Sequence, residues 1–222
     1  MRKEEIQNQN SSKEIDRIRD FGEVKTRNKE IQGMINLVDH EVKRVDSRFL
    51  EPACGDGNFL AKILENKLDN ALNKSKKDNI KFEIEAIYAL SSMYGIELLE
   101  DNIDKTRKRL FEIVSSYITK NFKLDVEESY SKSLKYVLKK NIIHGNALTL
   151  KNVKNESDII FSEWSMVNLT EFKRRDFTFN DLLAYQPFKE ENLFSDLGDQ
   201  AFIPNPVKEF KPVHYLKIYE LN

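Results

Sequence analysis

Residue types that build disulfide frameworks, zinc sites and membrane spans are scarce in these 222 residues. The single cysteine, Cys54, excludes a disulfide framework and fits a reducing compartment, so we expect a cytoplasmic protein. The three histidines lie far apart, and no Cys/His spacing resembles a zinc site. No apolar run approaches the ~20 residues of a membrane helix, and no signal peptide is visible at the N-terminus. We therefore expect neither a metal site nor a membrane span.

An excess of charge of either sign is also lacking. The 36 Lys and Arg residues balance 37 Asp and Glu residues, for a net charge of -1. This excludes a globally basic protein that coats nucleic acid, so any basic surface must be local. One acid-free stretch, Ser129–Asn155, contains Lys132, Lys135, Lys139, Lys140, Lys151 and Lys154, and residues 173–175 are a second basic cluster. The stretch predicts either contact with the phosphate backbone of a nucleic acid or a solvated helix face.

Glycine is rare, with seven residues, about half its usual share. Two glycines bracket one residue in Gly55–Gly57, within the sequence FLEPACGDGNFL at positions 49–60. The pattern predicts a strand at 49–50, a turn, and a helix from Phe59 to about Leu72 with Asn58 as its N-cap. Such a unit brings backbone N–H groups close to a ligand. A tight turn with no ligand is the alternative.

Further strands are predicted at 93–97, from 141 to a turn with Gly145 and Asn146, and at 158–161, and further helices at 31–38 and 100–118. Alternating strands and helices favour an α/β fold with a mostly parallel sheet. Gly55, Glu97 and Asn146 each follow a strand, and so are expected at the same sheet edge. An acid there can accept hydrogen bonds from two vicinal ribose hydroxyls, although Glu97 could equally be a solvated strand end.

Four segments resemble the motifs of amino-group DNA methyltransferases, the N6-adenine type of restriction–modification systems. Phe49–Leu60 resembles motif I, Tyr94–Leu98 motif II, Ile143–Leu148 motif III, and Phe21–Arg27 motif X, in the family's order. The resemblance covers about residues 20–161. It implies a Rossmann-like class I methyltransferase fold, a mostly parallel sheet flanked by helices, here shortened after the fourth strand.

The same resemblance implies S-adenosyl-L-methionine as cofactor. The turn at 52–58 would pass under its methionine part, and Glu97 would take the ribose hydroxyls. Asn146 stands where the family has Asp, near the amino group of the cofactor's adenine, and its amide oxygen can accept as a carboxylate does. In motif X, Lys25 and Arg27 replace Phe and Pro, which weakens the contact expected there. The implied cofactor residues are Thr26, Glu51, Pro52, Ala53, Gly55, Asp56, Gly57, Asn58, Phe59, Glu97, Leu98, Asn146 and Ala147.

The family's catalytic motif, D/N/S-P-P-Y/F, is expected at the end of the fourth strand but is not present there. The chain reads Ser162-Glu-Trp-Ser instead. Ser162 falls on the polar position, and Trp164 could stack on a flipped adenine or pack against the sheet. The resemblance thus implies a DNA adenine-N6 methyltransferase-like protein. A catalytically degenerate, cofactor- or partner-binding subunit and a methyltransferase for RNA or protein are the alternatives.

Three regions are expected along the chain. Residues 1–45 form an N-terminal helical segment with the motif X-like stretch, and 46–185 form the cofactor-binding domain. Residues 186–222 form an extended tail, with a loop at 186–200 and a final strand from His214. A target-recognition domain would need about 100 further residues, so we expect a partner subunit to supply DNA recognition.

Overall fold

The computed structural model describes residues 26–184 and 205–221, together with Arg17 and Arg19. Most of the motif X-like stretch and the predicted loop at 186–200 lie outside these residues. The described part contains one mostly parallel sheet in the order β1-β2-β3-β4. Its strands are β1 (Phe49–Glu51), β2 (Met93–Glu97), β3 (Ile142–Asn146) and β4 (Lys151–Asn152). β1, β2 and β3 pair in parallel, and β4 pairs antiparallel to β3.

Helices connect the strands. They are α1 (Asn28–Leu37), α2 (Asp39–Val42), α3 (Asn58–Ser75), α4 (Asn79–Ser91), α5 (Glu100–Phe122), α6 (Glu128–Asn141) and α7 (Phe179–Ala184). The α/β prediction is confirmed at this level, a mostly parallel sheet flanked by helices. Residues 83–90, whose apolar pattern alternates at first, lie in α4, where Ile84, Ile87 and Leu90 are buried. None of the described helices is long and apolar enough to cross a membrane.

The two faces of the parallel sheet are covered differently. Side chains alternate along a strand, so Phe49, Met93 and Ile142 share one face and pack in the helical core. Tyr94 and Ile96 point to the other face. There they join a smaller apolar cluster with Ile143, Ile159, Phe161 and Phe179. The residues that end β1 and β2, Glu51 and Glu97, therefore lie on the helix-covered face.

A second sheet is antiparallel and contains β5 (Ile160–Met166), β6 (Glu171–Thr178), β7 (Lys208–Glu209) and β8 (Val213–His214). The strand predicted at 158–161 was expected to join the parallel sheet, and this was wrong. It begins at Ile160 and pairs along its whole length with β6. Phe161 packs edge-on against Tyr94, so β5 covers the sheet face instead of extending it.

The predicted final strand from His214 was also wrong. The strand β8 ends at His214, where it pairs with β6, and Tyr215–Glu220 form a 3₁₀ helix. Tyr215 and Ile218, three residues apart, are both buried, which matches the three-residue turn of such a helix. The Tyr215 hydroxyl donates to Glu83 of α4 at 3.1 Å, so this end of the described chain belongs to the core.

Candidate functional site

The glycine turn after β1 is bonded to the end of β2. The backbone N–H of Cys54 donates to the Ile96 carbonyl at 3.0 Å. The N–H of Gly55 donates to Glu97 Oε2 at 2.9 Å. Gly55 and Gly57 have φ angles of 52° and 80°, a region that favours glycine. The structure therefore brings the predicted turn and the predicted acid into direct contact.

Glu97 uses both carboxylate oxygens inside the chain. Oε2 accepts from Gly55, and Oε1 accepts from the backbone N–H of Leu99 at 2.9 Å, just before α5. An ionised carboxylate offers about four acceptor positions, two on each oxygen. Each oxygen can therefore accept a further hydrogen bond, which is what two adjacent hydroxyl groups require.

A second acidic side chain, half-buried, lies beside this contact. Glu51 ends β1, pairs with Gly95, and projects from the same face as Glu97. Burial raises the pKa of Glu51 to about 8; the carboxylates of Glu97 and Asp56 act in the same direction, and the Leu60 backbone opposes them. Its Oε2 atom is buried and has no hydrogen-bond partner within the described residues. We call Glu51, Asp56 and Glu97 the acidic cluster.

Helix α5 fixes the turn from outside. Thr106 Oγ1 donates to the Gly55 carbonyl at 2.9 Å. A Cβ atom on Gly57 would lie 2.8 Å from Thr106 Cγ2, so only glycine fits. Arg109 bonds Asn58 and pairs with Asp56 at 3.2 Å. Sequence reasoning missed Thr106 and Arg109, because periodicity marks the buried face of α5 but not the loop that its polar residues reach.

The remaining predicted cofactor residues differ in how exposed they are. Pro52, Ala53 and Thr26 are exposed, and Phe59 is half-buried against the helical core. Leu98 is 42% exposed, and its carbonyl accepts from His144 Nε2 at 2.9 Å. Leu98 thus has an apolar side chain available at the edge where Glu97 lies.

Asn146 was expected to accept from an adenine amino group. Its Oδ1 instead accepts from the backbone N–H groups of Leu148 and Thr149 at 2.9 and 3.3 Å. The side chain thereby closes a local turn after β3, a common use of asparagine. Ala147, half-buried, packs against the smaller apolar cluster. The predicted acceptor is therefore already engaged within the chain.

The two predicted catalytic residues are buried in the second sheet, which corrects the expectation that they face an acceptor. Ser162 is 1% exposed, and its hydroxyl donates to Asp176 Oδ1 at 2.7 Å. Trp164 is 3% exposed, and its indole N–H donates to Asn141 Oδ1 at 3.2 Å. A buried ring has no face for a base to stack on. The alternative reading of Trp164, as a packing residue, describes its position.

Most of the predicted basic surface is neutralised by acids that are distant in sequence or lie on a neighbouring turn. Six of these cations form ion pairs. The pairs are Lys132–Glu128, Lys151–Asp158, Lys154–Glu100, Lys173–Glu209, Arg174–Asp176 and Arg175–Glu163. Two further lysines, Lys135 and Lys140, lie over aromatic rings. The charge pattern therefore provides little support for a phosphate-binding stripe.

A cavity of about 520 Å³ adjoins the turn where α1, α3 and α5 meet. Asn58 and Arg109 line it, whereas Glu51 and Glu97 do not. The volume lies within the usual range of small-molecule sites. No protein-family model, curated protein or solved structure matches this chain.

Proposed function

We propose that this protein binds S-adenosyl-L-methionine at the carboxyl edge of β1 and β2, as a DNA adenine methyltransferase-like protein. The observation that carries the proposal is the 2.9 Å contact between Gly55 and Glu97. A glycine turn with a carboxylate at the end of the next strand is the arrangement that nucleoside cofactors use in parallel α/β sheets. The order of motifs in the sequence supports the same cofactor.

The carboxyl groups beside the turn fit this ligand. Glu97 retains acceptor positions for the ribose hydroxyls. Glu51 carries a buried carboxylate oxygen without a partner in the described part of the chain. Burial favours the neutral form of this carboxyl group, and the ammonium or sulfonium group of the cofactor beside it would favour the ionised form. Asn146, by contrast, is used in its own turn and is left out of the proposed site.

Titration calorimetry with S-adenosyl-L-methionine tests the proposal, with Glu97→Gln as the main variant. The amide keeps the shape of the side chain but loses charge and acceptor capacity, so we expect binding to weaken by about tenfold or more. Glu112→Gln is the matched control, since Glu112 is an exposed carboxylate on α5. It should bind like the parent. Equal affinity of all three proteins, or no binding to the parent, would refute the proposed site.

A non-catalytic subunit is the second candidate, and the burial of Ser162 and Trp164 favours it. Transfer of a tritiated methyl group to adenine-rich DNA separates the candidates. Cofactor binding without transfer supports the subunit. Transfer that survives in Ser162→Ala would support an enzyme whose acceptor site lies elsewhere in the chain.

A further inference from the structure

The sheet face opposite the acidic cluster contains a second cavity, of about 460 Å³. Its walls are Leu50 of β1, Tyr94 of β2, Phe161 of β5, and residues of β6 and α7. Phe161, Phe177 and Phe179 are each at most 5% exposed and form an aromatic floor. Leu50 and Leu183, at 42% and 41% exposed, leave apolar surface at the opening. An apolar ligand would cover this surface.

The same cavity has a charged side. Glu163 bridges two arginines there, with Oε1 bonded to Arg48 and Oε2 paired with Arg175 at 2.5 Å. The Glu163 side chain is 14% exposed, so the shared carboxylate is largely desolvated. Glu209, opposite Arg175 in β7, is paired with Lys173 at 2.9 Å. Two cations facing one anion leave an excess of one positive charge at the cavity.

Arg175 also retains an unused donor. Its Nε–H is buried and has no acceptor among the described residues. A guanidinium fork can hold a second carboxylate or sulfonate, because its five N–H groups point in fixed directions. An anion here would pair with the excess charge and accept from this donor. A neutral ligand of the same shape would do neither.

We propose that this cavity binds a small amphipathic monoanion, an apolar body carrying one carboxylate or sulfonate group. The body contacts the aromatic floor and the two exposed leucines, and the anionic group pairs with Arg175 and Arg48. The site lies on the other sheet face from the proposed cofactor site and shares no residue with it. The inference therefore does not depend on S-adenosyl-L-methionine binding.

Two fluorescent probes with nearly the same aromatic body test the proposal, anilinonaphthalene sulfonate and the uncharged N-phenylnaphthylamine. We expect one sulfonate probe per chain. Arg175→Met should weaken sulfonate binding about tenfold and leave the neutral probe nearly unchanged. Glu163→Gln removes the shared anion, so the sulfonate should bind about three- to fivefold more tightly. Circular dichroism and thermal unfolding establish that each variant is folded.

A cavity-filling variant identifies where the probes bind. Leu50→Trp should remove binding of both probes, because the larger ring occupies the opening. Leu37→Trp is the matched control at a leucine that is 86% exposed and outside the cavity, and it should change neither affinity. Unchanged binding in folded Leu50→Trp overturns the proposal. The proposal is also overturned if Arg175→Met and Glu163→Gln change the affinity for the sulfonate probe no more than they change the affinity for the neutral probe.

Discussion

Lys67 of α3 is the most deeply buried cation among the described residues, and replacing it should change how stability depends on pH. Its ammonium group donates to the carbonyls of Val45 and Ser47 and to Ser92 Oγ, the last at 2.5 Å. The residue is 0% exposed. Burial lowers the pKa of Lys67 from 10.5 to about 7, and no carboxylate of the described residues is bonded to it.

The direction in which stability changes with pH follows from the number of protons that the folded and unfolded chains bind. Between about pH 7 and pH 10.5 the unfolded chain holds a proton on Lys67 that the folded chain releases, so stability rises with pH in this window. At about 1.4 kcal/mol per pKa unit, the full effect is on the order of 5 kcal/mol. Between about pH 6 and about pH 10, we expect a gain of about 4 kcal/mol in the free energy of unfolding from this residue.

Urea unfolding of the parent and of Lys67→Met across that range measures the effect. The other titrating groups are common to both proteins, so the difference between their unfolding free energies isolates Lys67. The variant also leaves the Val45 and Ser47 carbonyls with fewer donors, a loss independent of pH. Lys62→Met, at an exposed lysine of the same helix, should show no such trend. A flat difference for Lys67→Met would refute the assigned pKa.

Three further outcomes are expected. Since ionised Glu51 favours the permanently charged sulfonium group, the affinity of the parent for S-adenosyl-L-methionine relative to that of Glu51→Gln should rise in calorimetry as pH rises through about 8. The amino group of the cofactor titrates with both proteins, so an affinity ratio that does not change with pH would contradict the role of Glu51. Gly57→Ala should cost about 1–3 kcal/mol in denaturant unfolding because of its positive φ angle, whereas Gly33→Ala in α1, with open space around it, should not; equal stability of the two would contradict the strain argument. Asp176→Asn should lower the free energy of unfolding by about 3–5 kcal/mol, because the buried Arg174 guanidinium loses its charge partner. The two side chains are bonded at 2.6 and 2.7 Å. A loss below about 1 kcal/mol would show that the pair is not desolvated.

Local patterns predicted the elements that build the candidate site. The glycine turn, the helix after it and the buried strand ending at Glu97 all follow from short-range features, because periodicity and backbone freedom are encoded by neighbouring residues. The common edge of Gly55 and Glu97 followed from the parallel order alone. Asn146 failed as an acceptor for a local reason, since its own turn competes for the oxygen.

The partners of those elements were decided by tertiary structure. The sequence of residues 158–161 does not determine whether that strand joins the parallel sheet or pairs with β6, since an apolar strand fits either sheet. Pairing with β6 places Phe161 over Tyr94 and buries Ser162 and Trp164. The turn's anchors on α5 and the Arg48–Glu163–Arg175 cluster also join residues far apart in sequence. Such contacts form only when the chain is folded, because they depend on how helices and strands that are distant in sequence pack against one another.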